Sequence, residues 1–185
     1  MKEIFVSQNI QSAVEELAEK IISAIDDRSN VCVVGICSKG IPLAARLSKL
    51  LSEAWGKEVP CGKIDITLYR DDITIRDVDG IPAVGVTELD FDINDKVVIL
   101  VDDVLQTGRS CRAAMDAVVE FGRPSRMMLA VLIDRGGREF PIQADFIATN
   151  IEAPAADELL VVKFVETDGE DGIYLIKKQT GNIND

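Results

Sequence analysis

An α/β fold on a mostly parallel central sheet is the class this sequence predicts, and three observations carry it. Val31–Ile36, Val97–Val101 and Met127–Ile133 are unbroken apolar runs too short for helices, as expected of strands covered on both faces. The first two each lead through a short loop into a segment with helical spacing. Strands alternating with helices build a parallel sheet. The composition, 47% hydrophobic with 28% charged residues, can fill such a core.

In chain order, Ile10, Val14, Leu17 and Ile21 recur at helical spacing. They predict a first helix over 8–27, with Ser7 or Asn9 as N-cap and Glu15, Glu16 and Glu19 on the opposite side. After the Val31–Ile36 strand, Gly40 interrupts the pattern and Pro42 suits a first helical turn. Leu43, Leu47 and Leu50 then form one stripe to about Ala54. Ile64, Ile66 and Leu68 alternate with Asp65, Thr67 and Tyr69, which predicts a half-exposed strand. The polar stretch from Arg70 to Asp95, punctuated by Gly80-Ile81-Pro82, predicts a long loop or loose hairpin, and such segments are often active-site lids.

The second apolar strand is expected to end at Asp102-Asp103. A helix follows from about Arg109 to Phe121, with Ala113, Ala117 and Val118 inward and Gly122 at C′. Met127–Ile133 and Phe146-Ile147-Ala148 supply further strands. Leu159–Val165 and Gly172–Ile176 read as a closing hairpin around the acidic turn Glu166–Asp171. That turn misses the EF-hand spacing and reads as solvated rather than calcium-binding. With no repeat or linker, a single domain over residues 1–185 is expected.

Charge and composition exclude several functions. Twenty Lys+Arg against 32 Asp+Glu give a net charge of −12, and there is no histidine. Ser-His-Asp and Cys-His catalysis and a zinc site of the HExxH type are therefore excluded. The negative charge repels phosphate backbones and anionic membranes, which leaves a small molecule as the default partner. No apolar stretch approaches the ~20 residues of a membrane span. The start Met1-Lys2-Glu3-Ile4 has no apolar h-region, so no secretory signal is expected. Cys32, Cys37, Cys61 and Cys111 form no CxxC pair and read as reduced thiols of a cytoplasmic protein.

Ligands of open α/β sheets bind at the carboxyl ends of strands. At one such end, Val98-Ile99-Leu100-Val101 delivers Asp102 and Asp103. Val104, Leu105, Gln106, Thr107, Gly108, Arg109 and Ser110 then open a helix. Loop amides with a helix N-terminus suit a phosphate monoester, and paired carboxylates can accept hydrogen bonds from vicinal sugar hydroxyls. The bland alternative is an ordinary strand end before a capped helix. Cys111, beside this loop, reads either as a thiol activated at a helix N-terminus or as a buried inert one.

This segment resembles the phosphoribosyl pyrophosphate (PRPP) motif of type I phosphoribosyltransferases: two acidic residues after an apolar strand, then Thr-Gly-x-Ser/Thr. Lys63-Ile64-Asp65-Ile66-Thr67-Leu68-Tyr69-Arg70-Asp71-Asp72, Phe121-Gly122-Arg123-Pro124 and Asp134-Arg135-Gly136-Gly137-Arg138-Glu139 are similar to the PyrR family, pyrimidine operon regulators that are also uracil phosphoribosyltransferases. The resemblance runs from the first helix to about Ile176. It implies a type I phosphoribosyltransferase fold with a small hood and a flexible loop at about 70–95. It also implies conversion of uracil and PRPP to UMP and pyrophosphate with Mg2+, and a homo-oligomer, dimer or tetramer.

Carried over by position, Asp102 and Asp103 hold the ribose hydroxyls and Gln106–Ser110 cradle the 5′-phosphate. Ser38, Lys39 and Gly40 belong to the pyrophosphate loop, and Arg70 neutralises the leaving group. Asp134, Arg135, Val161 and Val162 border the base pocket. Magnesium is expected through substrate oxygens and water, with Asp102 and Asp103 helping indirectly.

Several positions depart from the family. Purine-specific relatives usually carry an aspartate where Gln106 stands, so a purine substrate is not expected; PyrR proteins commonly have tyrosine there. Cys37-Ser38-Lys39 replaces Lys-Thr-Arg, which weakens bidentate phosphate contacts. RNA-binding members present Thr, Arg and His where this chain has Glu15, Glu16 and Glu19. Gly137 replaces a histidine, Gln143 an arginine and Thr149 a lysine, which leaves Arg138. Lost phosphate contacts reduce counterion release, so binding of a leader RNA in the usual family manner is not expected.

Overall fold

The computed structural model describes residues 2–5, 7–71, 85–151 and 158–177. Two sheets form. The larger has five parallel strands in the order β3-β2-β4-β5-β6: β2 (Val31–Ile36), β3 (Cys61–Ile64), β4 (Val97–Leu105), β5 (Arg126–Asp134) and β6 (Phe146–Asn150). The smaller is a three-stranded antiparallel hood, β1-β8-β7, from β1 (Lys2–Phe5), β7 (Glu158–Lys163) and β8 (Gly172–Lys177). The helices are α1 (Ser7–Ala24), α2 (Gly40–Trp55), α3 (Arg109–Val119) and the single turn α4 (Val165–Asp168). The type I phosphoribosyltransferase architecture expected from the sequence is present.

Alternate residues of the central strands explain the two-sided burial. Val31, Val33, Ile99 and Val101 pack with α1 and α2, and with Leu160, Val162, Phe164 and Ile173 of the hood region. Cys32, Val34, Ile36, Val98 and Leu100 pack on the other face with Ala113, Ala114, Ala117 and Val118 of α3. Every residue of β2 is therefore buried.

Several expected boundaries move. Helix α1 begins at Ser7 itself and stops at Ala24, three residues short of the expected end. The expected strand through Leu68 stops at Ile64: Asp65 Oδ1 accepts the Thr67 N–H at 2.6 Å. This Asx turn feeds a 3₁₀ turn at Thr67–Tyr69 that leaves Leu68 76% exposed. Strand β4 runs on through Asp102 and Asp103 to Leu105 because β5 is long enough to pair with it, Leu105 opposite Asp134. Helix α3 ends at Val119, before Phe121. Half of the long 70–95 loop, residues 72–84, lies outside the described residues; where the chain returns, Glu88 bridges antiparallel to Lys63. The acidic turn is exposed from Val165 to Glu170, as expected of a solvated turn, and it is also paired with Lys39, Arg46 and Lys163, as described below.

Candidate active site

Parallel strands place their carboxyl ends on one edge, and α2 and α3 start there. Neither N-cap residue, Lys39 or Gly108, makes a side-chain hydrogen bond, although at α3 the Arg109 N–H donates to Thr107 Oγ1 at 3.2 Å; a helix start still offers further amides without helical partners. Before α3, Gly108 adopts φ 88°, a left-handed conformation that suits glycine, and a Cβ there would lie 3.3 Å from Phe140. Before α2, the constraint is tighter. A Cβ on Gly40 would come within 2.2 Å of the Val101 carbonyl oxygen, so only glycine lets this helix start against β4.

Asp102 and Asp103 lie at this edge. Asp102 is only 8% exposed. Its Oδ1 accepts the Asp103 N–H at 3.0 Å, and Asp103 Oδ1 accepts the Val104 N–H at 2.9 Å. Burial, and then the neighbouring Asp103 charge, raises the Asp102 carboxyl well above the ordinary range; burial also raises Asp103. Arg70 opposes the shift at Asp102, and Lys39 opposes it at Asp103. The pair is thus held where a cationic or hydroxyl-bearing ligand would relieve the cost of its charge.

These carboxylates and the loop after them line one cavity of about 470 Å³ with Arg70, Arg135 and Leu159. The loop is fixed through its backbone: Glu139 and Phe140 N–H both donate to the Thr107 carbonyl, at 2.9 and 3.0 Å, and Arg135 N–H to that of Leu105 at 3.1 Å. Arg109 does not turn its guanidinium inward. It bonds Glu139 and Asp71, each at 2.7 Å, and lies over the Phe140 ring at 5.2 Å. Cys111 is 1% exposed and burial pushes its thiol up to about 12, which makes it the inert alternative.

A second cavity of about 450 Å³ adjoins the first and shares Arg70 with it; Cys37, Ser38, Lys63, Asp65 and Thr67 also line it. Asp65 organises this wall. Its carboxylate accepts from Thr67 and from the Gly85 N–H, which outweigh the opposing cost of burial and hold it below the usual carboxylate range. Burial, reinforced by Asp65, raises the Cys37 thiol. The Cys37–Ser38 peptide is cis.

At the end of β5, Asp134 accepts from the Gly136 N–H at 2.9 Å and from Arg138 Nη2 at 2.5 Å. Arg138 also donates to the Ile142 and Gln106 carbonyls, so its guanidinium is committed inside the protein. The Arg135 Nε atom is buried without a hydrogen-bond partner. The hood contributes Leu159 and Leu160 to the larger cavity. Val161 and Val162, named from the sequence, do not line it; Val162 is 2% exposed and belongs to the core. The cavity meets β7 two residues nearer its start than the sequence placed it, at Leu159 and Leu160.

The geometry agrees with what this chain is similar to. Residues 1–159 match the phosphoribosyl transferase domain family. The chain is 45% identical over 177 residues to the bifunctional protein PyrR of Thermus aquaticus, covering 96% of each. It is 44% identical over 184 residues to that of Chloroflexus aurantiacus, covering 100% of this chain and 98% of that one. Among solved structures it is similar to a hypoxanthine phosphoribosyltransferase of Trypanosoma cruzi, with a TM-score of 0.67 and 18% identity over 97% of this chain and 98% of that one. A hypoxanthine-guanine phosphoribosyltransferase of Bacillus anthracis gives 0.66 and 19%, over 96% and 98%. At such identities these two likenesses concern the fold. The chain belongs to the PyrR family of phosphoribosyltransferases.

Proposed function

From membership of the PyrR family, we propose that this phosphoribosyltransferase takes uracil as acceptor and converts uracil and PRPP to UMP and pyrophosphate. The observation that carries the reading is that Asp102, Asp103, the loop after them and the start of α3 all line one cavity. Asp102 and Asp103 accept the ribose hydroxyls, and the amides and hydroxyls of Gln106 to Ser110 cradle the 5′-phosphate. Ser38, Lys39 and Gly40 at the start of α2 face the leaving pyrophosphate. Arg70, common to both cavities, spans the bond that breaks. Arg135, with Asp134 behind it and the hood leucines opposite, borders the base.

The chemistry asks for little proton transfer. Departure of pyrophosphate leaves positive charge on the ribose ring, so positioning and fixed charge do most of the work. Asp102 and Asp103 supply negative charge beneath that ring. No cluster of three or more acidic or cysteine ligands occurs among the described residues. Two carboxylates at a strand end fit a magnesium ion held mainly by substrate oxygens and water, with Asp102 and Asp103 assisting. When bound, Mg2+ supplies charge neutralisation to the pyrophosphate.

Gln106 favours a pyrimidine, because an amide cannot take the proton that a carboxylate would at a purine ring nitrogen. The partners are then uracil, PRPP, UMP and pyrophosphate. An RNA-attenuator reading is less well supported: Glu15, Glu16 and Glu19 are exposed on α1, and Arg138 is spent on internal bonds. No described helix is long and apolar enough to cross a membrane; the four free cysteines fit the cytoplasm. Turnover of labelled uracil with PRPP and Mg2+, beside hypoxanthine, guanine and orotate, tests the reading. Uracil is expected to be the best substrate, and faster turnover of any of the others overturns it.

A further inference from the structure

Lys39 immediately precedes α2, in the loop assigned to pyrophosphate, yet its ammonium is bonded to the hood side of the molecule. Its Nζ donates to Asp168 Oδ1 at 2.7 Å, to Asp168 Oδ2 at 2.5 Å and to Thr167 Oγ1 at 3.1 Å. An ammonium has three N–H donors, and these contacts occupy all of them. The Lys39 and Asp168 side chains are 27% and 24% exposed, so water screens the pair only in part.

Asp168 is not free to follow Lys39. Its Oδ2 also accepts the Phe164 N–H at 2.9 Å and the Thr167 hydroxyl at 2.7 Å. The turn that carries it is anchored to α2 by Arg46, which bonds Glu166 through Nε and Nη2 at 2.8 and 2.7 Å. Arg46 also bonds Asp171 through Nη1 and Nη2 at 2.9 and 2.7 Å. Lys163 holds Glu170 at 2.6 Å. Lys39 foremost, with the Phe164 N–H and Thr167, holds the Asp168 carboxyl down at about 2. On its other side, Lys39 is near enough to Asp103 to favour that carboxylate's charged form. One ammonium thus stands between a fixed carboxylate of the α4 turn and the acidic pair of the site.

We infer that Asp168 is a positioning residue that withholds Lys39 from the pyrophosphate group, so that the ligand must draw the ammonium off a protein carboxylate. This deepens the PRPP reading of the β2–α2 loop and rests on it. Breaking one ion pair to make another yields less affinity than an unpaired lysine would give. The return of Lys39 to Asp168 then favours release of product pyrophosphate. The contact also makes the pyrophosphate loop sensitive to the α4 turn, which joins the two hood strands β7 and β8.

The test is calorimetric titration of magnesium pyrophosphate and of PRPP into wild type, Asp168→Asn, Lys39→Met and the double variant, with thermal melts and PRPP-dependent kinetics on each. Asparagine keeps an oxygen for the Phe164 N–H while losing the charge that holds Lys39. Asp168→Asn is expected to tighten both ligands about three- to tenfold, the size of a partly shielded ion pair. The gain should appear as a lower KM for PRPP with no rise in kcat, and should vanish in the double variant. Thr167→Ala, which spares the carboxylate, should shift binding in the same direction by a smaller factor. Unchanged or weaker pyrophosphate binding in a normally melting Asp168→Asn protein overturns the inference, as does a gain that survives Lys39→Met. Should Asp168→Asn unfold, absence of tightening in Thr167→Ala overturns it instead. A wild type that binds neither ligand removes the PRPP reading and the inference together, a result distinct from binding that Asp168 does not influence.

Discussion

The two anion loops of this molecule are built alike and restrained differently. Both follow a buried parallel strand, both open a helix whose N-cap residue makes no side-chain hydrogen bond, and both carry a long cation. After β4, Arg109 is neutralised within the central-sheet region, by Asp71 and Glu139. After β2, Lys39 is neutralised by Asp168 of the α4 turn, between the hood strands. The cations are local ties, and they report on different parts of the fold: the β5–β6 loop in one case and the hood in the other.

The largest expected effect separates the two loops by their glycines. Gly40→Ala must push α2 off β4, since its Cβ would meet the Val101 carbonyl at 2.2 Å. A loss of about 1–3 kcal/mol from overpacking, and a fall in kcat/KM of at least about a hundredfold from misplaced amides, are expected by chemical denaturation and steady-state kinetics. Gly108→Ala meets side chains rather than backbone, Phe140 at 3.3 Å and Ile142 at 3.4 Å, and adds the left-handed strain of about 1–2 kcal/mol, so it should lose less activity. Equal losses would erase the distinction.

Next come the carboxylates between the loops. Asp102→Asn or Asp103→Asn should lower turnover by at least about tenfold with the fold retained, as expected for groups that hold ribose in the transition state; near wild-type kinetics in both would remove them from the site. A stability effect of opposite sign accompanies the first. The Asp102 carboxyl is raised by burial and by Asp103, so the folded protein holds its proton more tightly than the unfolded chain. That penalty is absent below the unfolded value of about 4 and grows as pH rises above it. Asp102→Asn should therefore melt above wild type at pH 7 to 8, and the advantage should disappear on acidification toward pH 4.

The smallest effects concern cations already spent. Arg109→Met is expected to change PRPP affinity by less than about threefold, because its guanidinium is paired at the surface. A much larger loss in a calorimetric titration would mean that the arginine leaves Asp71 and Glu139 to grip phosphate. Binding of a pyrimidine-operon leader hairpin is expected to be negligible in gel shifts at about 0.15 M salt, near physiological ionic strength. Submicromolar binding strengthened by UMP would contradict that.

The parallel core was legible in the sequence because uninterrupted apolar runs such as Val31–Ile36 have one structural meaning when bounded by glycine and charge. That Asp102, Asp103 and the loop before α3 would share one cavity was legible because they are contiguous. Strand β1 was not: four residues, Lys2 to Phe5, pair with β8 at the far end of the chain, and so short a segment has no period to read. The alternation of Ile64, Ile66 and Leu68 misled because Asp65 bonds its own backbone two residues on, a local preference that overrides the strand pattern. The acidic turn is exposed as expected, but its ion pairs were not legible because Lys39 and Arg46 lie 129 and 120 residues before the carboxylates they bond. Only the packing of the α4 turn against α2 brings them together.

Acceptor choice is the central claim, and initial rates with equal concentrations of labelled uracil, hypoxanthine, guanine and orotate, at saturating PRPP and Mg2+, address it most directly. UMP and pyrophosphate should form in equal amounts and faster than any other nucleotide, with the product lost in Asp102→Asn. A purine nucleotide or orotidylate forming faster than UMP would contradict it, and so would UMP formation that survives replacement of both Asp102 and Asp103.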